Sequence, residues 1–117
     1  MAGIYGDWES RLNLSQYSTP ALAASGVIKD KAGALYNLSG INDKAAIQYI
    51  QIFDSKTVPA DGAVPVLVLV VSADSNFSID LGVYGLPCKN GISWSNSSTL
   101  ATKTIGAADC FVTAVYR

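Results

Sequence analysis

The sequence predicts an all-β domain: an antiparallel β-sandwich, jelly-roll-like, with seven or eight strands and an extended N-terminal arm. Three observations predict it. Short apolar runs rich in Val, Ile, Tyr and Phe recur along the chain, divided by Gly, Pro, Asn and Asp at intervals of roughly 8–14 residues. Apolar residues at helical spacing persist nowhere for more than a turn or two. Residues 64–72 (VPVLVLVVS) form a Val-dominated run, the strongest strand signal in the chain.

Taken in order, residues 1–25 stand apart as an arm, and residues 26–117 are read as the sandwich domain. The arm holds Tyr5, Trp8, Leu12 and Tyr17 at irregular spacing among Ser, Asn, Gln and Gly. Aromatic anchors such as Tyr5, Trp8 and Tyr17 are enriched at interface centres, so these three with Leu12 are the candidate interface residues, the alternative being an arm that packs on its own sandwich. In residues 33–41, alternation puts Ala34, Tyr36 and Leu38 on one face and Asn37 and Ser39 on the other. Residues 46–53 read as a strand that is apolar on both faces, each face broken once, by Gln48 and by Gln51; such a strand is central or covered. Residues 54–62 (DSKTVPADG) are a loop. The run at 64–72 and the alternating segment 76–81 are expected to pair as a hairpin across Ala73-Asp74-Ser75, with Pro65 restricted to the start of its strand or an edge. Residues 91–95 form a short strand with Ile92 and Trp94 on one face. A Ser/Thr loop covers 96–103 (NSSTLATK), and residues 110–117 form the last strand.

Composition excludes several classes of function. Half of the 117 residues are hydrophobic and 15% are charged, which suits a folded core and not a disordered chain. Eight Lys plus Arg against nine Asp plus Glu leave no surplus of positive charge for phosphates, so no nucleic-acid partner is expected. The longest apolar stretch, residues 63–71, is about half of what a membrane-spanning helix needs, so no membrane partner is expected either. The N-terminus carries neither a basic n-region nor an apolar h-region of a secretory signal. The chain has no histidine, which removes hydrolases that depend on a His base and metal sites built on imidazole. Five aspartates (Asp54, Asp61, Asp74, Asp80 and Asp109) lie in or beside loops and are read as turn residues. No glycine-rich phosphate loop and no calcium-loop spacing is present. Catalytic residues, cofactors and metals are therefore all read as none, and the chain as not an enzyme. Cys88 and Cys110 are read as buried thiols, a disulfide requiring their strands to be neighbours. Trp94 and Tyr84, with Tyr36 and Tyr49, are the candidates for a sugar-stacking platform, against which stands a core role for Trp94.

Residues 49–55 (YIQIFDS), 59–66 (PADGAVPV), 90–97 (NGISWSNS) and 105–117 (IGAADCFVTAVYR) together resemble small β-sandwich proteins encoded among the structural genes of tailed bacteriophages. The resemblance runs from about residue 26 to residue 117 and excludes the arm. It implies a structural component of the virion, made in the host bacterial cytoplasm: a capsid decoration (cement) protein or a head-fibre-like module. The partners it implies are copies of the chain itself, as a trimer, and the major capsid protein or other virion proteins. The alternative is a glycan- or receptor-binding module of a fibre or tail.

Overall fold

A computed structural model describes residues 14–117. These residues form nine strands: β1 (Ser15–Ser18), β2 (Ser25–Lys29), β3 (Gly33–Asn42), β4 (Gln48–Phe53), β5 (Leu67–Val71), β6 (Ser75–Asp80), β7 (Leu86–Cys88), β8 (Ile92–Ser97) and β9 (Cys110–Tyr116). All pairings are antiparallel. One sheet has the order β1-β9-β3-β6, with β7 continuing the β6 edge alongside the start of β3; the other has the order β2-β8-β4-β5. With the three-residue β7 set aside, the first strand pairs with the last, the second with the second-last, the third with the sixth and the fourth with the fifth. That is the winding of a jelly roll, a long antiparallel ribbon folded over itself.

The winding corrects the expected hairpin. β5 pairs with β4 and β6 pairs with β3, so the turn at residues 72–74 crosses from one sheet to the other. Asp74 makes the crossing at φ +50°, a left-handed conformation that Asp tolerates better than most residues. Short apolar strands flanking a tight turn resemble a hairpin locally; here the longer-range partners of each strand win.

Strand β3 departs from simple alternation. Its register against β9 shifts between Leu35 and Asn37, so Tyr36 is an extra residue in the ladder. The bulge reverses the phase: Leu35 and Leu38, three apart, both point inward and are fully buried, while Ala34 and Tyr36 are only half-buried. The grouping of Ala34, Tyr36 and Leu38 on one face does not survive it.

The boundary at Gly26 also moves. Residues 15–18 are β1, paired with Thr113–Tyr116 of β9. Thr19 donates its N–H to the Val112 carbonyl at 3.0 Å, and Ala23 and Cys110 exchange backbone bonds of 2.8 and 3.2 Å. The sandwich therefore takes in at least residues 15–23, the last part of the segment read as an arm.

The core lies between the sheets. Leu35, Leu38, Val112 and Ala114 face Ile50, Ile52, Ile92 and Trp94, and Tyr17, Leu67, Leu69 and Ile79 close its margins. Leu69 stands opposite Ile50 on the inner face of its sheet, and Val70 stands opposite Tyr49 on the outer face. Leu69→Ala is therefore expected to cost about 2–3 kcal/mol. Val70→Ala should stay within about 0.5 kcal/mol, as a surface change does. Urea unfolding of the two variants measures the difference.

Candidate functional site

The outer face of the β2-β8-β4-β5 sheet is divided in two. Over β8 and part of β4 the exposed side of the sheet is polar: Ser93, Ser95, Ser97 and Gln51 all point outward there, yet all are buried. Two loops roof them. The Gln51 side-chain amide donates to the carbonyls of Thr99 and Leu100 at 3.0 Å and of Thr102 at 3.2 Å. Ser97 Oγ donates to the Thr99 carbonyl at 2.8 Å and accepts the Thr104 N–H at 3.0 Å. Ser93 Oγ reaches the Thr57 carbonyl of the other loop at 3.3 Å. The loops are joined by two backbone bonds of 2.8 Å, from Gly62 N–H to Lys103 and from Lys103 N–H to Ala63. Lys103 Nζ, nearly buried, lies 2.7 Å from Asp61 Oδ1. Alternating serines fit this role because a short hydroxyl can satisfy a loop's backbone groups without holding the loop off the sheet.

The roof stops short of β5. Among the described residues this edge strand pairs with β4 alone. Its outer side exposes Val66 (51%) and Val70 (63%), flanked by Ile47 (52%) and Val64 (75%). Tyr49, opposite Val70, and Val68, opposite Gln51, are half-buried on the same face. The result is a continuous apolar strip with no charged side chain in it. The Asn96 amide bonds the Ala24 carbonyl at 2.7 Å, so the even residues of β8 serve β2 and its odd ones β4; carried across β4, the same alternation turns the amides of Leu69 and Val71 toward β4 and those of Val68 and Val70 toward the open edge. Natural sheets usually blunt such an edge with charge, proline or a bulge; here Pro65 alone precedes the strand. The signal was present in the sequence: an apolar run behind a proline reads equally as a central strand or as an edge.

The residues singled out from the sequence fall in different places. Tyr5, Trp8 and Leu12 lie outside the described residues. Tyr17 is half-buried on β1 and serves its own sandwich: its hydroxyl accepts the Trp94 indole N–H at 3.1 Å, above Gly26, where a Cβ would collide with both rings. Trp94 is fully buried on the inner face of β8 and presents no ring face to a ligand. Tyr84 is 90% exposed, in the loop between β6 and β7 beside the other sheet. Trp94 and Tyr84 are therefore not brought together, and the stacking platform gives way to a core role for Trp94.

The loop aspartates hold turns. Asp54 accepts the N–H groups of Asn90 at 2.8 Å and Lys89 at 3.1 Å, which lower its pKa. The bond from Lys103, followed by that from the Ile105 N–H, lowers the pKa of Asp61. Asp80 caps the Gly82 N–H at 2.9 Å. Among the described residues no three Cys, Asp or Glu side chains gather as a metal site, and no helix is long and apolar enough to cross a membrane. Cys88 and Cys110 are free and buried; they pair with Gly33 and Asn42, at opposite ends of β3, which keeps them apart. Burial, with smaller contributions from Asp54 and Asp109 respectively, pushes each thiol up to about 11.

The sequence matches no protein-family model and no curated protein. Among solved structures, the chain is similar to the coat protein of Tobacco streak virus, at 13% identity, with 90% of this chain and 87% of that chain covered and a TM-score of 0.38. It is similar also to a protein of the Bacillus endospore appendages, described as disulfide-linked pili, at 14% identity, with 88% and 82% covered and a TM-score of 0.38. No function is transferred from either.

Two outcomes are expected from this geometry. Asp54 and Asp61 have lowered folded pKa values, so the stability they contribute is present above the ordinary aspartate value near 4 and fades as pH falls below it through the folded values. Melting temperature should drop along that acid limb, and D54N/D61N should flatten the drop. At about pH 8 both thiols should resist a water-soluble disulfide reagent in the native protein and react on unfolding, as protonated buried thiols do.

Proposed function

We propose that this chain is a non-enzymatic structural protein that works by assembling with copies of itself and with other components of a particle. The observation that carries the reading is the open β5 edge with its apolar outer strip, Ile47, Val64, Val66 and Val70. An apolar strip beside unpaired strand amides is suited to being covered by another protein surface, because burial removes the apolar area from water and supplies the amides with partners. A chain with only 15% charged residues adds little repulsion between copies.

The particle we propose is a tailed-phage virion, and the role a capsid decoration protein that binds the capsid surface as a trimer and stabilises it. The resemblance of residues 26–117 to phage structural β-sandwiches supports this choice. Residues 1–13, with Tyr5, Trp8 and Leu12, are proposed to contribute to contacts between subunits. A glycan-binding role has less support, since Trp94 is committed to the core.

The test is V66D/V70D. Two charges on the strip should weaken self-association at least about tenfold, and should abolish attachment to the particle, with thermal melting unchanged. Sedimentation velocity and co-sedimentation with capsids provide the measurement. An unchanged size distribution in the variant would remove the β5 edge as the assembly surface.

A further inference from the structure

We infer that copies of this chain also meet end to end, the basic end of one sandwich seated on the acidic end of the next. The inference rests on the assembly reading above, but on a different surface. The antiparallel winding gathers the loops at two ends. At one end meet the β2–β3 loop, the loop following β4, the β7–β8 loop and Arg117. Lys29, Lys31, Lys56, Lys89 and Arg117 all lie there, five of the seven Lys and Arg among the described residues. Their proximity is structural. Gly91 approaches the Lys29 carbonyl and the Lys56 backbone so closely that a Cβ would stand 2.8 and 2.6 Å from them. Arg117 exchanges two 2.9 Å backbone bonds with Ala34 at the start of β3. Lys29, Lys31 and Arg117 line one open cleft of about 500 Å³, together with Ser15 and Asp30.

These five cations have no ion-pair partner among the described residues. Two acids share the end with them. Asp54 is committed to the amides of Lys89 and Asn90, which leaves Asp30 as the single free acidic side chain there.

The opposite end has the reverse sign. The β3–β4 loop, the β5–β6 turn and the β8–β9 loop converge there, tied by bonds from Asp43 N–H to the Asp109 carbonyl (2.8 Å) and from Asp74 N–H to the Lys44 carbonyl (2.9 Å). Asp43, Asp74 and Asp109 face a single cation, Lys44, which stands 3.9 Å from Asp109. Asp43 and Asp74 are exposed and in no ion pair. The remaining charged side chains among the described residues lie between the ends: Asp61 and Lys103 neutralise each other on the roof, and Asp80 stands opposite Asn37 midway along β3.

A molecule with unpaired positive charge at one end and unpaired negative charge at the other repels its copies when like ends meet and attracts them when unlike ends meet. The contact is heterologous: each copy offers one end to its predecessor and the other to its successor, so it repeats as a row or closes as a ring. All the free charges except half-buried Lys29 are exposed, so the contact is salt-sensitive.

The experiment is a charge swap read by sedimentation of the full chain. In the wild type, raising NaCl from about 50 mM to about 500 mM should weaken self-association about tenfold or more. K31E/K89E makes the basic end acidic. D43K/D74N reverses the acidic end, with Asn chosen at 74 because the backbone there has φ +50°. Each variant alone should self-associate at least about tenfold more weakly than the wild type, because its two ends then carry like charge. An equimolar mixture should recover wild-type association, since each altered end now has a complementary partner. Variants that associate like the wild type, or a mixture that gives no recovery, would overturn the end-to-end contact while leaving the β5 edge standing. A wild type that stays single at every concentration would overturn both.

Discussion

The ladder of β9 against β1 and β3 is the constraint on which the rest of the structure depends. β9 is the last strand in the chain, and it lies between the first and the third. Its pairing brings Tyr17 over the core and closes the ribbon into two sheets. Because β3 carries a bulge opposite β9, two leucines three residues apart enter the core together, and the extra residue, Tyr36, offers its carbonyl to Leu81 at the entrance of the loop that leads to β7. Most of these contacts link residues far apart in sequence, a topology associated with slow folding.

Closing the ribbon creates the asymmetry that matters for function. One half of the outer face of the β2-β8-β4-β5 sheet disappears under loops that are themselves held by Gln51, Ser93 and Ser97. The loops spend their polarity inward, on the sheet. The other half, along β5, has no roof and keeps its valines in water. An isolated domain under pressure only to stay soluble would be expected to place a lysine or a bulge there. The absence of either along Leu67–Val71 is what supports the proposed assembly role of this surface.

The same winding sorts the charges. Loops that are scattered along the sequence collect at two ends, and the cations fall mostly at one of them. A formal net charge of −1 conceals this separation. The edge and the ends differ in physical character: the edge is apolar and insensitive to salt, whereas the ends are electrostatic and directional. Together they would give an assembly both affinity, from buried apolar area, and orientation, from charge.

The sequence by itself determined the class of fold, and with it much of the core. Period-two alternation and turn residues are local signals, so β4, β6, β8 and β9 and the inward positions of Ile92, Trp94 and Val112 were legible from neighbours a few residues apart. The turn roles of the aspartates were legible for the same reason. Only the tertiary structure decided which strands pair. The residues 72–74 turn has the local chemistry of a hairpin, and the bulge at Tyr36 leaves no mark in composition; both follow from strand partners that lie outside any local sequence window. Burial was likewise decided at a distance. The serines of β8 alternate as a solvent face does, but two remote loops cover them, and the most apolar run in the chain, expected to pair with residues 76–81, pairs with β4 instead and lies at a sheet edge among the described residues.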